Sequence, residues 1–307
     1  MTASTALGID IGGTAIKMGI VARDGAIMAR GTFPFDHDLS FEDLVTTIAE
    51  RAEALSQRAR ARPVAIGIAA PGFADPQTRA FVDGTNNVPV LKDRALAVAL
   101  NQQLELPAVI ENDALAAARC ELCFGAGRGR SRFVVLTIGT GVGGAMVVDG
   151  RVLRGPGGRP PEFGALVLDR SGELNYSGLR GTLEHLANAT AFVHSFQRAG
   201  GAADTTAAAV FERAQSGDLL ALAAVDETSR WIAQALGTMI NLLVPEACII
   251  GGGVAAAGST LLEPIRRQLP DFTWPTLLSR TDVVLAELGN DAGLIGAASL
   301  AFEALPA

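Results

Sequence analysis

The chain has 307 residues, of which 49% are hydrophobic and 19% charged, and its formal net charge is −7. That length accommodates two ordinary domains with filled cores, and the composition excludes a disordered chain. The acidic balance argues against a nucleic-acid partner, but it leaves phosphorylated ligands open, because backbone amides bind them without side-chain charge.

The predicted elements begin with a meander. Residues 7–11 form an apolar run ending beside Asp10, Gly12 and Gly13 allow a tight turn, residues 15–21 return, Asp24 and Gly25 turn again, and residues 26–33 form a third strand. Ser40 opens a helix, with Asp43 as its box-like partner and Leu44, Ile48 and Leu55 on one face; Arg62–Pro63 closes it. A buried strand over 64–69 runs into Pro71 and Gly72, a helix covers 92–104, and Pro107 opens a strand that ends at Glu111, Asn112 and Asp113.

The pattern then restarts. LGIDIGGTAIKMGIVARDGAIMARG from Leu7 and VVLTIGTGVGGAMVVDGRVLRG from Val134 each read as strand, glycine-rich turn, returning strand, Asp-Gly turn and third strand. A helix over 226–243 then feeds a strand over 247–250 that ends in three glycines, mirroring the helix-then-strand order of the first half. The chain is thus expected to be α/β and duplicated, with two domains around a cleft, the usual place for a small-molecule site. The Gly/Pro-rich stretch 155–181 reads as a long ordered loop, which is usually functional.

Three cysteines, Cys120, Cys123 and Cys248, are too few and too scattered for a disulfide framework and indicate a reducing compartment. Cys120 and Cys123 fall in an Ala-rich helical run with no second ligand pair, so they read as two helix-face thiols. The start MTASTALGIDIGG lacks the basic flank, apolar core and cleavage site of a signal peptide, and no apolar run approaches the ~20 residues that span a bilayer. The expectation is a cytoplasmic protein with no membrane partner.

Phosphoryl transfer needs charge stabilisation, in-line positioning, a metal ion and a base for the attacking hydroxyl. Asp10, Gly12, Gly13 and Thr14 offer a carboxylate, exposed amides and a hydroxyl in one turn, which serves a phosphate and its Mg²⁺ (held at Asp10 directly or through water) or is a plain hairpin. The run Thr137–Gly144, with Thr140, Gly141 and Gly143, repeats that turn; it is neither a Walker A loop nor a GxGxxG helix start. Gly251, Gly252 and Gly253 either admit a nucleoside or simply turn the chain. Asp113 is placed to take a proton from a sugar hydroxyl, or to cap the helix that follows, or both. Glu162 and Glu184 bracket the long loop and suit hydroxyl recognition or plain solvation.

These residues together resemble the ROK family (repressors, open reading frames and kinases). Asp10–Lys17 is similar to its D-x-G-G-T-x-x-K phosphate motif, Thr85-Asn86-Asn87 to its sugar-binding T-N-N, and Asn112–Asp113 to its catalytic N-D pair. GAGRG from Gly125, the run Leu136–Gly144, GGGV from Gly251 and LGNDAGLIGA from Leu288 match its remaining motifs in family order. The resemblance implies a duplicated ribonuclease H-like, actin-like ATPase fold, with residues 1–115 and about 290–307 as an N-terminal sugar and phosphate domain, and 116–289 as a larger domain bearing the nucleotide site and dimer surface. It implies ATP and Mg²⁺ as cofactors and Asp113 as base toward a hexose hydroxyl, usually that on C6. It places Gly72, Asn86, Asn87, Asn112, Glu162 and Glu184 at the sugar. Asp10, Gly12, Gly13, Thr14, Lys17, Thr140, Gly141, Gly143, Gly252 and Gly253 fall at ATP, and a homodimer is implied.

Two departures matter. The family's E-x-G-H reads Glu162-Phe163-Gly164-Ala165 here, and its cysteine-rich C-x-C-G-x-x-G-C-x-E run begins at Asn175 with Ser177 and Thr182 in place of cysteines, so no zinc is expected. Side-chain hydrogen bonds from Asn175, Ser177 and Thr182 are expected to hold the loop instead, and His185 is a candidate to replace the missing histidine at the sugar. The competing readings are a sugar-responsive repressor, a sugar-binding regulator without catalysis and a polyphosphate-dependent kinase. Only nine residues precede Asp10, too few for a DNA-reading module, and no extended basic run accompanies the phosphate turns.

Overall fold

The computed structural model describes residues 4–175 and 177–305. The chain divides into two compact units, one of Met1–Gly125, Arg154–Pro160 and Asp291–Ala307, the other of Ala126–Leu153 and Pro161–Asn290.

In the first unit, β1 (Thr5–Ile11), β2 (Ala15–Ala22) and β3 (Ile27–Pro34) form the expected meander. Then come α1 (Phe41–Ala59), β4 (Ile66–Ala70), the short hairpin β5 (Phe73–Ala74) and β6 (Phe81–Asp83), α2 (Leu96–Leu104), β7 (Ala108–Asn112) and α3 (Asp113–Phe124). The five-stranded sheet runs β3-β2-β1-β4-β7, antiparallel through the meander and parallel from β1 to β7. Alternation along β1 sorts its two faces. Leu7, Ile9 and Ile11 pack with Leu44 and Ile48 of α1 and Leu96 and Leu100 of α2. The opposite face, carrying Ala6 and Ala65, packs with Leu294, Ala298 and Phe302 of the unit's last helix, residues Ala292–Glu303. Small side chains there let helix and sheet come close. A Cβ on Gly67 would lie 1.7 Å from the Ala297 carbonyl oxygen, and one on Gly8 2.3 Å from that of Leu294.

The second unit begins with β8 (Phe133–Ile138), β9 (Val142–Val148) and β10 (Arg151–Val152), followed by α4 (Leu183–Ala187), α5 (Ala189–Arg198), α6 (Ala207–Gln215) and α7 (Leu219–Leu243). It closes with β11 (Ala247–Gly251), α8 (Ser259–Gln268), α9 (Pro275–Leu278) and β12 (Asp282–Leu285); the helix that returns to the first unit is α10. Its sheet, β10-β9-β8-β11-β12, has the same antiparallel-then-parallel sequence as the first. Val134, Leu136 and Ile138 of β8 build its core with Phe192 and Phe196 of α5 and Leu236 and Ile240 of α7. The duplicated ribonuclease H-like, actin-like α/β fold expected from the sequence is the fold found.

Several boundaries differ from the sequence reading, each for a local reason. Ser40 does cap α1, accepting the Asp43 N–H, but the helix ends before Arg62–Pro63 because Arg60 adopts a left-handed conformation (φ 51°). Helix α2 starts at Leu96 rather than 92, since a 3-10 turn at Pro89–Leu91 and a left-handed Asp93 (φ 58°) precede it. Helix α7 starts at Leu219 rather than 226, its first amides held by Asp218. Among the described residues no helix is long and apolar enough to cross a membrane.

Candidate active site

In the first unit, parallel register aligns Asp10 with Ala69 and Ala69 with Glu111, so the turns after β1, β4 and β7 leave the sheet at one edge. Ligands of α/β sheets bind at such carboxyl-terminal edges. The edge gathers Asp10, Gly12, Gly13, Thr14, Gly72, Asn112 and Asp113. Asp10 is paired with Lys17 across the β1–β2 ladder, Nζ to Oδ2 at 3.2 Å. Its carboxylate also lies against the first turn of α10, for a Cβ on Gly293 would come within 2.6 Å of the Asp10 Cγ. Burial pushes the Asp10 pKa above its ordinary value; Lys17 opposes that shift and Asp291 adds to it.

The phosphate-type turn is braced from two sides. The Gly12 N–H donates to the Ala15 carbonyl at 2.9 Å, and a Cβ on Gly13 would sit 3.0 Å from the Asn87 carbonyl oxygen, so Asn87 is brought beside this turn, with exposed Asn86 before it. On the other side His37 Nε2 lies 2.9 Å from the Gly13 carbonyl oxygen, its ring edge-on to Phe35 at 4.9 Å. His37 has no motif around it in the sequence and was missed there; only the fold brings it to Gly13.

The Asn112–Asp113 step corrects one reading. The N-cap of α3 is Asn112, not Asp113: Asn112 Oδ1 accepts the Ala114 and Leu115 N–H groups at 3.0 and 3.3 Å, and Asp113 is the first helical residue. The β7 ladder continues through Asn112, which is still extended and so is the residue placed to cap. Asn112 Nδ2 donates to the Gly72 carbonyl at 3.1 Å. Gly72 itself is left-handed (φ 96°), and a Cβ there would meet the Asp83 carbonyl oxygen at 2.5 Å. Asp113, half-buried, is therefore carried on a helix start whose cap is anchored to the neighbouring β4 turn.

In the second unit, β8 and β11 run parallel with Thr137 opposite Gly251, so both glycine turns leave the same edge. Gly252 (φ 81°) packs directly on Ile138, where a Cβ would fall 2.4 Å from the carbonyl oxygen. Among the described residues beyond their chain neighbours, no atom lies within 4 Å of the positions a Cβ would take on Gly139 and Gly253, so these backbones face open space. Thr140 is exposed at the tip, and Gly141 accepts the Gly139 N–H at 2.9 Å. Gly143 belongs to β9, opposite Thr137, rather than to the turn.

Glu184, in α4, accepts the Val142 N–H at 3.0 Å and so touches the root of this glycine turn. Glu162 is exposed and starts a 3-10 turn whose Gly164 packs on Val142, where a Cβ would lie 2.2 Å from the carbonyl oxygen. The two glutamates thus come from segments that meet at the start of β9. The loop before α4 is held as its side chains suggested. Asn175 Oδ1 accepts the Ser177 N–H at 3.0 Å, the Ser177 hydroxyl at 2.8 Å and the Leu179 N–H at 3.0 Å, while Nδ2 donates to Thr182 Oγ1 at 3.3 Å. Tyr176 of that run lies outside the described residues. His185 faces Glu173, Nε2 to Oε2 at 3.3 Å.

The profile of the ROK family matches residues 6–304. The chain belongs to the ROK family. Among its relatives, a glucokinase of Thermotoga maritima is 34% identical over 307 residues, 96% of either chain. A β-glucoside kinase of Klebsiella pneumoniae is 31% identical over 295 residues, covering 94% of this chain and 93% of that one. A solved ROK family glucokinase from Streptomyces griseus, in complex with glucose and AMPPNP, aligns at a TM-score of 0.87 and 30% identity, covering 98% of this chain and 100% of that one. Of the ROK motifs identified in the sequence, those at Asp10–Lys17, Asn112–Asp113, Leu136–Gly144 and Gly251–Val254 lie at the carboxyl-terminal ends of β1, β7, β8 and β11.

Proposed function

We infer that this ROK protein is an ATP-dependent sugar kinase that phosphorylates a hexose hydroxyl, that on C6 of glucose or a closely related sugar, with Asp113 as general base. The observation that carries the reading is the shared edge of the first sheet, where Asp10 near the end of β1 and Asp113 after β7 flank the turn that follows β4, in a chain whose relatives at 31–34% identity include glucokinases and a β-glucoside kinase. Asn86, Asn87, Asn112 and Gly72 would hold the sugar in the first unit, and Glu162 and Glu184 in the second.

The residues present fit a nucleotide and a divalent cation. The open backbones of Gly139 and Gly253 admit phosphate or nucleoside without a Cβ in the way, with Thr140, Gly141 and Gly252 next to them in the chain; Gly143, in β9, would act from the adjoining strand. In the first unit Gly12, Gly13 and Thr14 would form the phosphate turn, with Lys17 beside it on β2. The desolvated carboxylate of Asp10 is a group whose charged form a cation stabilises, which suits Mg²⁺, held directly or through water. ATP supplies the phosphoryl group and Mg²⁺ neutralises charge on its oxygens. This chain's own residues orient the sugar, present the amides and take the hydroxyl proton on Asp113. Asn, Ser, Thr and Ala stand where the family's zinc ligands would be, so the reading includes no zinc. It also includes a cytoplasmic homodimer with its contact on the second unit.

The test is ADP release with ATP and Mg²⁺ across a panel of hexoses. Asp113→Ala is expected to lower kcat by about 10²–10⁴-fold on the best sugar. Turnover with polyphosphate alone would change the donor, and sugar binding without turnover on either donor would make the protein a regulator.

A further inference from the structure

Glu111 immediately precedes the Asn112–Asp113 step, and its side chain is only 14% exposed. Its two oxygens have different partners. Oε1 accepts the backbone N–H of Asn112 at 3.0 Å. Oε2 receives both Nε and Nη2 of Arg154, at 2.9 and 2.5 Å. Arg154 opens the stretch Arg154–Pro160, which belongs to the first unit although second-unit residues flank it in sequence.

The stretch is itself folded and docked. The Gly155 N–H donates to the Arg159 carbonyl at 2.8 Å, and the Arg159 guanidinium lies over the Phe73 ring at 5.1 Å. Phe73 follows Gly72, whose carbonyl takes the Asn112 amide. Two routes therefore run from this stretch to Asn112, one through Glu111 to its backbone N–H and one through Phe73 and Gly72 to its side chain. A partly exposed ion pair adds little to stability. Here, though, its carboxylate stands two residues before Asp113 and bonds the backbone of Asn112, which caps the helix on which Asp113 is the first residue.

We propose that Glu111 and Arg154 are positioning residues for phosphoryl transfer, the Arg154 guanidinium locking the Glu111 carboxylate so that it fixes the Asn112 backbone and, through it, the direction of the Asp113 carboxylate. The proposal rests on the reading of Asp113 as general base. Ångström-scale misplacement of a reacting group costs up to about 10²-fold in rate. Arg154→Gln is expected to lower kcat per folded molecule by about 10–100-fold and to raise the sugar KM by no more than about 3-fold, because the Asn112 side chain stays tethered to the Gly72 carbonyl and Asn86 and Asn87 lie outside this network. Arg154→Lys keeps the charge without the fork and recovers part of that loss.

Glu111→Gln should match Arg154→Gln, and the double variant should be no worse than either, because the two act as one unit. The Asn112 amide should exchange its hydrogen faster in Arg154→Gln, a readout independent of turnover. The proposal is overturned if Arg154→Gln keeps wild-type kcat, if the losses multiply in the double variant, or if the whole effect sits in KM. Should Arg154→Gln not fold, Arg154→Lys decides by the same criteria. Asp113→Asn separates the two levels: full activity there defeats the reading of Asp113 and the proposal with it. An inactive Asp113→Asn beside a fully active Arg154→Gln defeats the proposal alone.

Discussion

Replacing Gly67 by alanine would test how closely α10 sits on the first sheet. The added Cβ would lie 1.7 Å from the Ala297 carbonyl oxygen, where unstrained contact needs about 3.5 Å, so helix and strand must part by on the order of 1–2 Å. The helix cannot simply retreat, because Gly296 is pressed on α3 from the other side, with a Cβ position 1.9 Å from the Ala116 carbonyl oxygen. Overpacking of this kind costs about 1–3 kcal/mol, and a clash with backbone on both sides puts Gly67→Ala near the top of that range. At about 2–4 °C per kcal/mol for a protein of this size class, Tm should fall by roughly 6–12 °C. Activity should fall too, since α10 carries Gly293 against Asp10. Circular dichroism melting, with kcat measured on the folded fraction, reads both. Gly31→Ala is the control: its Cβ position is 3.8 Å from the nearest atom, Leu55 Cδ2, and the change should stay within about 0.5 kcal/mol. A Gly67→Ala protein that melts within about 1 °C of wild type with kcat intact would refute this account of α10 packing.

Asp10→Asn should stabilise the protein at neutral pH while removing activity. Its folded pKa is raised above the ordinary carboxylate value of 3.8, so the folded state binds that proton more tightly than the unfolded state. The cost is absent below the unfolded value, grows as pH rises through the folded one and is complete above it, each tenfold difference in proton affinity between the two states contributing about 1.4 kcal/mol. Denaturant titrations from pH 3 to pH 8 should therefore show a gap between variant and wild type that opens with rising pH; a constant gap would contradict it. Asn175→Ala strands the amides of Ser177 and Leu179 and the hydroxyl of Ser177, so the loop before α4 should loosen by about 1–2 kcal/mol, with faster proteolysis there and a several-fold higher sugar KM through Glu184; unchanged proteolysis would argue that backbone contacts alone hold the loop. Val244 ends α7 in a left-handed conformation (φ 46°) that costs a β-branched residue about 1–2 kcal/mol. Val244→Gly removes that strain at a cost of about 0.5–1 kcal/mol in backbone entropy, a net gain of about 0.5–1 kcal/mol that should raise Tm by about 1–4 °C, and a lower Tm would show that the exposed Val244 side chain contributes contacts worth more than the strain.

Local signals in the sequence suffice for the two meanders. Leu7, Ile9 and Ile11 alternate with smaller residues, Asp24–Gly25 and Asp149–Gly150 mark turns, and Ser40 with Asp43 marks a helix start; each depends on neighbours a few residues away. Repetition of that pattern points to the duplicated fold without any distance. What is not legible depends on distant partners or on a competition between good local choices. Asn112 and Asp113 both cap helices well, and only the length of the β7 ladder decides for Asn112. The start of α7 reads too late in the sequence because its Leu/Ala-rich first turns carry no polar alternation, while its real signal is Asp218 alone. Arg154 and Glu111 are 43 residues apart and lie in segments that look respectively like a loop and a strand end, so their pairing has no trace in spacing. The same holds for Gly293 against Asp10, and for His37, whose role at Gly13 rests on a contact across two strands of the meander.

The first unit is assembled from both flanks of the second, with α10 laid on β1 and β4 after the intervening chain has been completed. During synthesis on the ribosome, all strands of the second unit emerge before α10 does. At about 5–20 residues per second the Ala6, Gly8, Ala65 and Gly67 face waits uncovered for tens of seconds. The second unit can complete its core first, and the first is closed only when α10 arrives. The alanines and glycines that let α10 approach so closely also expose little apolar area meanwhile, which limits what the nascent sheet offers to a chaperone or to another nascent chain.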